Sequence, residues 1–141
     1  MGLRTWAKGD FVQEAGVELL IRAFGGRFAE RGWPWVQPCG RPGWFWVDTK
    51  AIAEESGCLS GGERRVLSVV ASLVGRDPIR DLGDLVAGVD RRHLHLILAA
   101  LAHAGGSHQH VDLVWRGKEL NFGPLPALVP WPGIELGTVT G

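Results

Sequence analysis

Between residues 10 and 31 apolar side chains return every three or four positions. Val17, Leu20, Ile21, Phe24 and Phe28 share one stripe, which predicts an amphipathic helix. Asp10 stands where an N-cap is needed and Glu18 lies four residues before Arg22, a supporting ion pair. Gly25-Gly26 marks the place where this helix ends or kinks. The pattern then changes to period two: Trp33 and Trp35, and after them Trp44 and Trp46, flank Pro38, Gly40, Pro42 and Gly43. That predicts a hairpin over 33–47 with two Trp pairs facing each other across the strands. Residues 48–56 read as a short helix closed by Gly57.

Ser60 and Glu63 form the S-x-x-E of a capping box, and Val66, Leu67, Val70, Leu73 and Val74 follow on one face, so a helix is predicted over 60–74 with Gly75 as its stop. A short helix is expected over 81–88, and Asp90 caps another over 91–104 that halts at Gly105-Gly106. Residues 110–122 read as a second hairpin turning through Arg116-Gly117-Lys118. Four prolines (Pro124, Pro126, Pro130, Pro132) keep the tail extended, and Leu125, Leu128, Val129, Trp131 and Ile134 give it apolar groups to dock with. The fold class expected is α+β: a three-helix core with a hairpin wing over 59–122, a Trp-rich helix and hairpin over 1–58, and a tail over 123–141, in one domain.

The order of elements in 59–122 resembles a winged helix-turn-helix of the MarR type. Leu59-Ser60 open the first helix, Pro78-Ile79 stand at the short strand, and Leu82–Val86 at the second helix. Gly88-Val89-Asp90-Arg91 sit at the turn, 91–104 at the recognition helix and 111–122 at the wing. The resemblance implies DNA binding through a helix in the major groove. The residues expected to touch nucleic acid are Arg91, Arg92, His95, Arg116 and Lys118. Leu59-Ser60-Gly61-Gly62-Glu63 also resembles the signature loop of ABC-type ATPases, but no G-x-x-x-x-G-K-[ST] accompanies it, and helix capping accounts for Ser60 and Glu63.

Charge tempers the DNA reading. The 15 basic and 15 acidic residues cancel over the chain, and 59–122 carries eight Lys/Arg against seven Asp/Glu. Most DNA binders present a basic face. On a helical wheel Leu94, Ile97, Leu98 and Leu101 make the inner stripe of helix 91–104. Leu96, Ala99 and Ala100, with His103 beside them, then make a smooth outer surface suited to an interface with a second copy, the tail or the N-terminal helix. A protein-interaction or assembly subunit of phage or mobile-element type is therefore the alternative to DNA binding. The 21 glycines and the excess of Arg over Lys follow from a GC-rich genome, whereas seven Trp with no Tyr point to cores and interfaces.

A third class, a small metal-dependent enzyme, rests on His108, His110 and Asp112, spaced i, i+2, i+4. On a strand they share a face and offer two imidazoles and one carboxylate to a divalent metal, with His103 as a further ligand. The string resembles part of the H-x-H-x-D-H of metallo-β-lactamases, although position 113 is Leu. Otherwise no cofactor is expected. Cys39 and Cys58 lack the spacing of a zinc site or a disulfide framework. No apolar run approaches the ~18 residues of a membrane span, and Met1-Gly2-Leu3-Arg4 does not open a signal peptide, so a cytoplasmic protein is expected.

Overall fold

The computed structural model describes residues 2–133. The chain is α+β, with six α-helices and two antiparallel hairpins among these residues. The helices are α1 (Gly2–Ala7), α2 (Phe11–Arg22), α3 (Thr49–Glu55), α4 (Gly61–Gly75), α5 (Leu82–Ala87) and α6 (Arg91–Ala104). Five of them begin on a side chain that accepts the free N–H groups of the first turn: Asp10, Asp48, Ser60, Asp81 and Asp90. Ser60 and Glu63 close the full capping box. No helix of the described residues is long and apolar enough to cross a membrane.

The core is built on α2, which packs against both α4 and α6. Val17, Leu19 and Leu20 of α2 meet Val66, Leu67 and Val70 of α4 and Leu96, Ile97 and Ala100 of α6 in one buried cluster that also holds Phe28 and Trp35. Gly16 lets α2 and α4 approach closely, since a Cβ there would press on Val74 and Leu73. Beyond α2, Phe24, Gly25 and Gly26 all take left-handed backbone (φ 51°, 67° and 85°), so the helix expected over 10–31 stops at Arg22 and becomes a tight turn over Ala23–Ala29. Gly25 and Gly26 adopt that conformation freely, but Phe24 does so at a cost. His93 of α6 secures it. Its ring stacks on Phe24 with centroids 4.0 Å apart, and its Nε2 accepts the Phe24 N–H at 3.1 Å. The other ring nitrogen then donates to Asp90 at 2.8 Å.

The Trp-rich hairpin is shorter than its alternation suggests. β1 is Val36–Pro38 and β2 is Phe45–Val47, and Trp46 lies opposite Gln37. Trp33 and Trp35 therefore do not face Trp44 and Trp46. They precede the strand and stack on each other (centroids 5.0 Å apart, planes 12° apart), while their indole N–H groups donate to the carbonyls of Arg27 and Phe28, both at 2.8 Å. The turn after α2 captures these two rings, with Trp35 wholly buried.

Three further expectations change. Gly75 is the last residue of α4, and Arg76 takes the left-handed cap at φ 63°. Gly75 is needed for space instead, because a Cβ would overlap the Thr49 side chain of α3. Residues 78–79 form no strand. Most consequentially, α6 is turned over relative to the expected stripe. His93, Leu96, Ile97, Ala99 and Ala100 are buried, whereas Leu98 and Leu101 are 46% and 48% exposed. Small Ala100 sits with Leu96 and Ile97 in the core shared with α2, where a small side chain permits close helix approach. The apolar surface of Leu96, Ala99 and Ala100 is thus covered within the chain: Leu96 and Ala100 lie in the core shared with α2, and Ala99 lines a cavity with Ala127, Val129 and Trp131 of the tail.

Candidate functional site

After α6 a 3-10 turn, Ser107–Gln109, leads into β3 (Val111–Arg116), which pairs with β4 (Glu119–Pro124). The turn between them uses Gly117 at φ 65°, the left-handed backbone that a two-residue hairpin loop requires. The register sets Val111 opposite Pro124, Leu113 opposite Phe122 and Trp115 opposite Leu120. Alternate residues share a face, so these side chains line one side of the ribbon. All are open to solvent: Trp115 is 70% and Phe122 77% exposed, and Val111, Leu113 and Leu120 lie at 45–62%. Only Val114 and Gly123 of the hairpin are shielded, and both belong to the opposite side. Trp115 and Phe122 together expose on the order of 300 Å² of apolar surface, at ~150–250 Å² per aromatic side chain. With Val111, Leu113 and Leu120 added, the face matches the largest apolar patch of an ordinary monomer, which is often functional.

Along the outward side of α6, a cavity of about 620 Å³ is lined by Arg91, Arg92, Leu94, His95, Leu98 and Pro132. The tail runs nearby in cis. Leu125 N–H donates to His110 O at 2.9 Å, Leu128 N–H to Ser107 Oγ at 3.2 Å, and Arg22 donates to Pro132 O at 2.8 Å while lying over the Trp131 ring. Ile134 lies outside the described residues.

At the foot of the hairpin, Glu14 of α2, His103 of α6 and His108 of the 3-10 turn come together, with one donor atom from each within 4.8 Å of the others. Glu14 Oε1 lies 2.8 Å from His103 Nε2, and its Oε2 accepts the Gly9 N–H at 2.8 Å. Loss of water opposes the charge on Glu14, but the Gly9 N–H, the His103 hydrogen bond and the His103 charge together hold its carboxyl below the ordinary range. Burial first, and the charge of His103 second, push His108 below the ordinary imidazole value. The two imidazoles stack with centroids 4.1 Å apart, and Phe11 packs against both in T-shaped contacts.

The residues expected from the sequence to act together are redistributed. Arg91, Arg92 and His95 are exposed and share the α6 cavity, and Arg116 and Lys118 are exposed at the hairpin turn. Leu96, Ala99 and Ala100 are buried inside the chain and are no free interface, and His103 of the same set turns towards Glu14. Of the H-x-H-x-D string, His108 is half-buried while His110 and Asp112 are exposed and outside the metal-ligating group. The 3-10 turn breaks the strand periodicity that would have aligned all three. Glu14 was missed, because 89 residues separate it from His103 and only the packing of α2 on α6 joins them. Comparison of the chain with family models, curated proteins and solved structures returns no significant match.

Proposed function

We propose that the chain is a non-catalytic interaction module, with its elements in winged-helix order, that docks through the apolar face of the β3–β4 hairpin. The observation that carries this reading is the one-sided exposure of Val111, Leu113, Trp115, Leu120 and Phe122. A two-stranded hairpin is marginally stable alone, so a cover over this face supplies what the ribbon lacks. The order α4, α5, α6, β3–β4 supports the winged-helix part. The partner whose surface matches is a second copy of the chain. A two-fold contact buries the same patch twice, and ~500–600 Å² from each copy reaches the ~1,000 Å² that a specific interface needs. Light scattering across a concentration series tests this. The wild type is expected to dimerise, and Trp115→Glu with Phe122→Glu to give a folded monomer. A wild type that stays monomeric at the highest soluble concentration overturns self-association.

A second reading, duplex DNA, draws on exposed Arg91, Arg92 and His95 along the α6 cavity and on Arg116 and Lys118 at the turn. Exposed Leu98 and Leu101 on the same helix weigh against it. If it holds, Arg116→Ala with Lys118→Ala lowers the salt slope of binding by ~0.9 per lost phosphate contact. No duplex binding at low salt rejects it.

A further inference from the structure

The cluster at the foot of the hairpin is more than an ion pair. Glu14 and His103 alone would satisfy each other, yet a third donor, His108, is brought to within ligand distance from a separate segment. His108 leaves a buried Nδ1 without a hydrogen-bond partner. A buried polar atom is normally satisfied, and an orphan one calls for an explanation such as an absent ion. The carboxylate is also oriented from behind: the Gly9 N–H holds Oε2 and leaves Oε1 directed at His103. Such outer-shell support is characteristic of ligating groups.

We infer that Glu14, His103 and His108 bind one divalent transition-metal ion, with Zn²⁺ the best match to two imidazoles and a carboxylate. Softer ions prefer thiolate, and Mg²⁺ or Ca²⁺ prefer all-oxygen cages. The described residues supply three ligands, so a fourth position is left for water. His103 lines two adjoining cavities, one of about 320 Å³ with Lys8, Glu18 and Trp131, the other of about 220 Å³ with Ser107, His108 and Trp131. Either has room for that water. The ion would tie α2, the end of α6 and the turn before β3 into one cross-link. This differs from a site on His108, His110 and Asp112, because the last two residues are exposed and apart from the group.

The test is Zn²⁺ titration of chelator-stripped full-length protein by calorimetry, with bound metal counted by elemental analysis. One equivalent per chain is expected, with a raised unfolding midpoint, since an ion that binds only the folded state stabilises it. Glu14→Gln and His108→Ala should each weaken binding by tenfold or more, while His110→Ala and Asp112→Ala leave it unchanged. Co²⁺ in place of Zn²⁺ gives a visible absorption band that Glu14→Gln, a near-isosteric change, abolishes or shifts without unfolding the chain. No uptake by the wild type overturns the proposal. So does uptake that survives both Glu14→Gln and His108→Ala, or that is lost in His110→Ala.

Discussion

Leu96→Ala and Leu98→Ala are the same chemical change two residues apart on one helix, and the fold assigns them opposite fates. Leu96 is 2% exposed in the contact between α2 and α6, while Leu98 is 46% exposed on the outward side. Helix propensity is identical for the pair and cancels in the comparison. Truncating Leu96 removes a fully buried side chain and leaves a hole that neighbours close only in part, a loss of about 3–5 kcal/mol. Truncating Leu98 removes carbons that are half in water already and leaves no enclosed hole, which costs about 1 kcal/mol from area alone. For a chain of this size each kcal/mol moves the thermal midpoint by roughly 2–4 °C. Leu96→Ala should therefore drop the midpoint by on the order of 10 °C, and Leu98→Ala by about 3 °C. Urea titration followed by circular dichroism gives the free energies directly. Equal losses, or a larger loss at Leu98, would falsify the placement of α6 and return its inner face to Leu94, Leu98 and Leu101.

The close approach of α3 to α4 is checked by Gly75→Ala. Ala gains about 1 kcal/mol of helix propensity, yet its Cβ collides with Thr49, so a net loss of about 1–2 kcal/mol is expected in denaturant, and a net gain refutes the contact. His93→Leu keeps the ring's bulk but strands the Phe24 N–H and the Asp90 contact; a cost of about 1–3 kcal/mol is expected, and a variant as stable as wild type means that the left-handed turn needs no acceptor. Acidification should destabilise metal-free protein in two steps. His108 is held below its ordinary value, so stability is full above about pH 6.5 and falls as pH drops towards the folded value. Below about 4.5 the loss deepens, because Glu14, Glu18 and Glu63 are also held low and protonate in turn. A thermal midpoint followed from about pH 8 to 3 shows both steps, and His108→Gln should remove the upper one; a midpoint that rises between pH 7 and 5 contradicts the assignment.

Helix starts were the most legible part of the sequence. Asp10, Ser60 and Asp90 each act where they stand, because a cap is a local interaction within three residues. The second hairpin was legible for the same reason, since Gly117 and the alternation around it fix turn and register together. Faces were less so. In α6 leucines at 94, 96, 98 and 101 surround the helix, and weighting them by size selects the wrong side. Small Ala99 and Ala100 mark the buried side, and their smallness matters only once α2 and the tail are placed around the helix. The Trp alternation at 33–46 misled in a related way. Trp33 and Trp35 have strand spacing, but the carbonyls that satisfy their indoles come from the turn after α2.

The two candidate sites are adjacent along the chain, and this links their chemistry. Only Gln109 and His110 separate His108 from β3, so whatever fixes His108 also fixes where the exposed ribbon leaves the helical core. Three contacts already gather at that root: Glu14 on His103, Leu128 N–H on Ser107 Oγ, and Leu125 N–H on the His110 carbonyl. They bring α2 and the tail to bear on one short turn. An apolar face gains affinity when it is presented from a rigid base, because less freedom is lost on docking. An ion held by Glu14, His103 and His108 would stiffen the same root. On this argument, metal loading of the cluster and association through Trp115 and Phe122 are coupled, with each strengthening the other by the same factor.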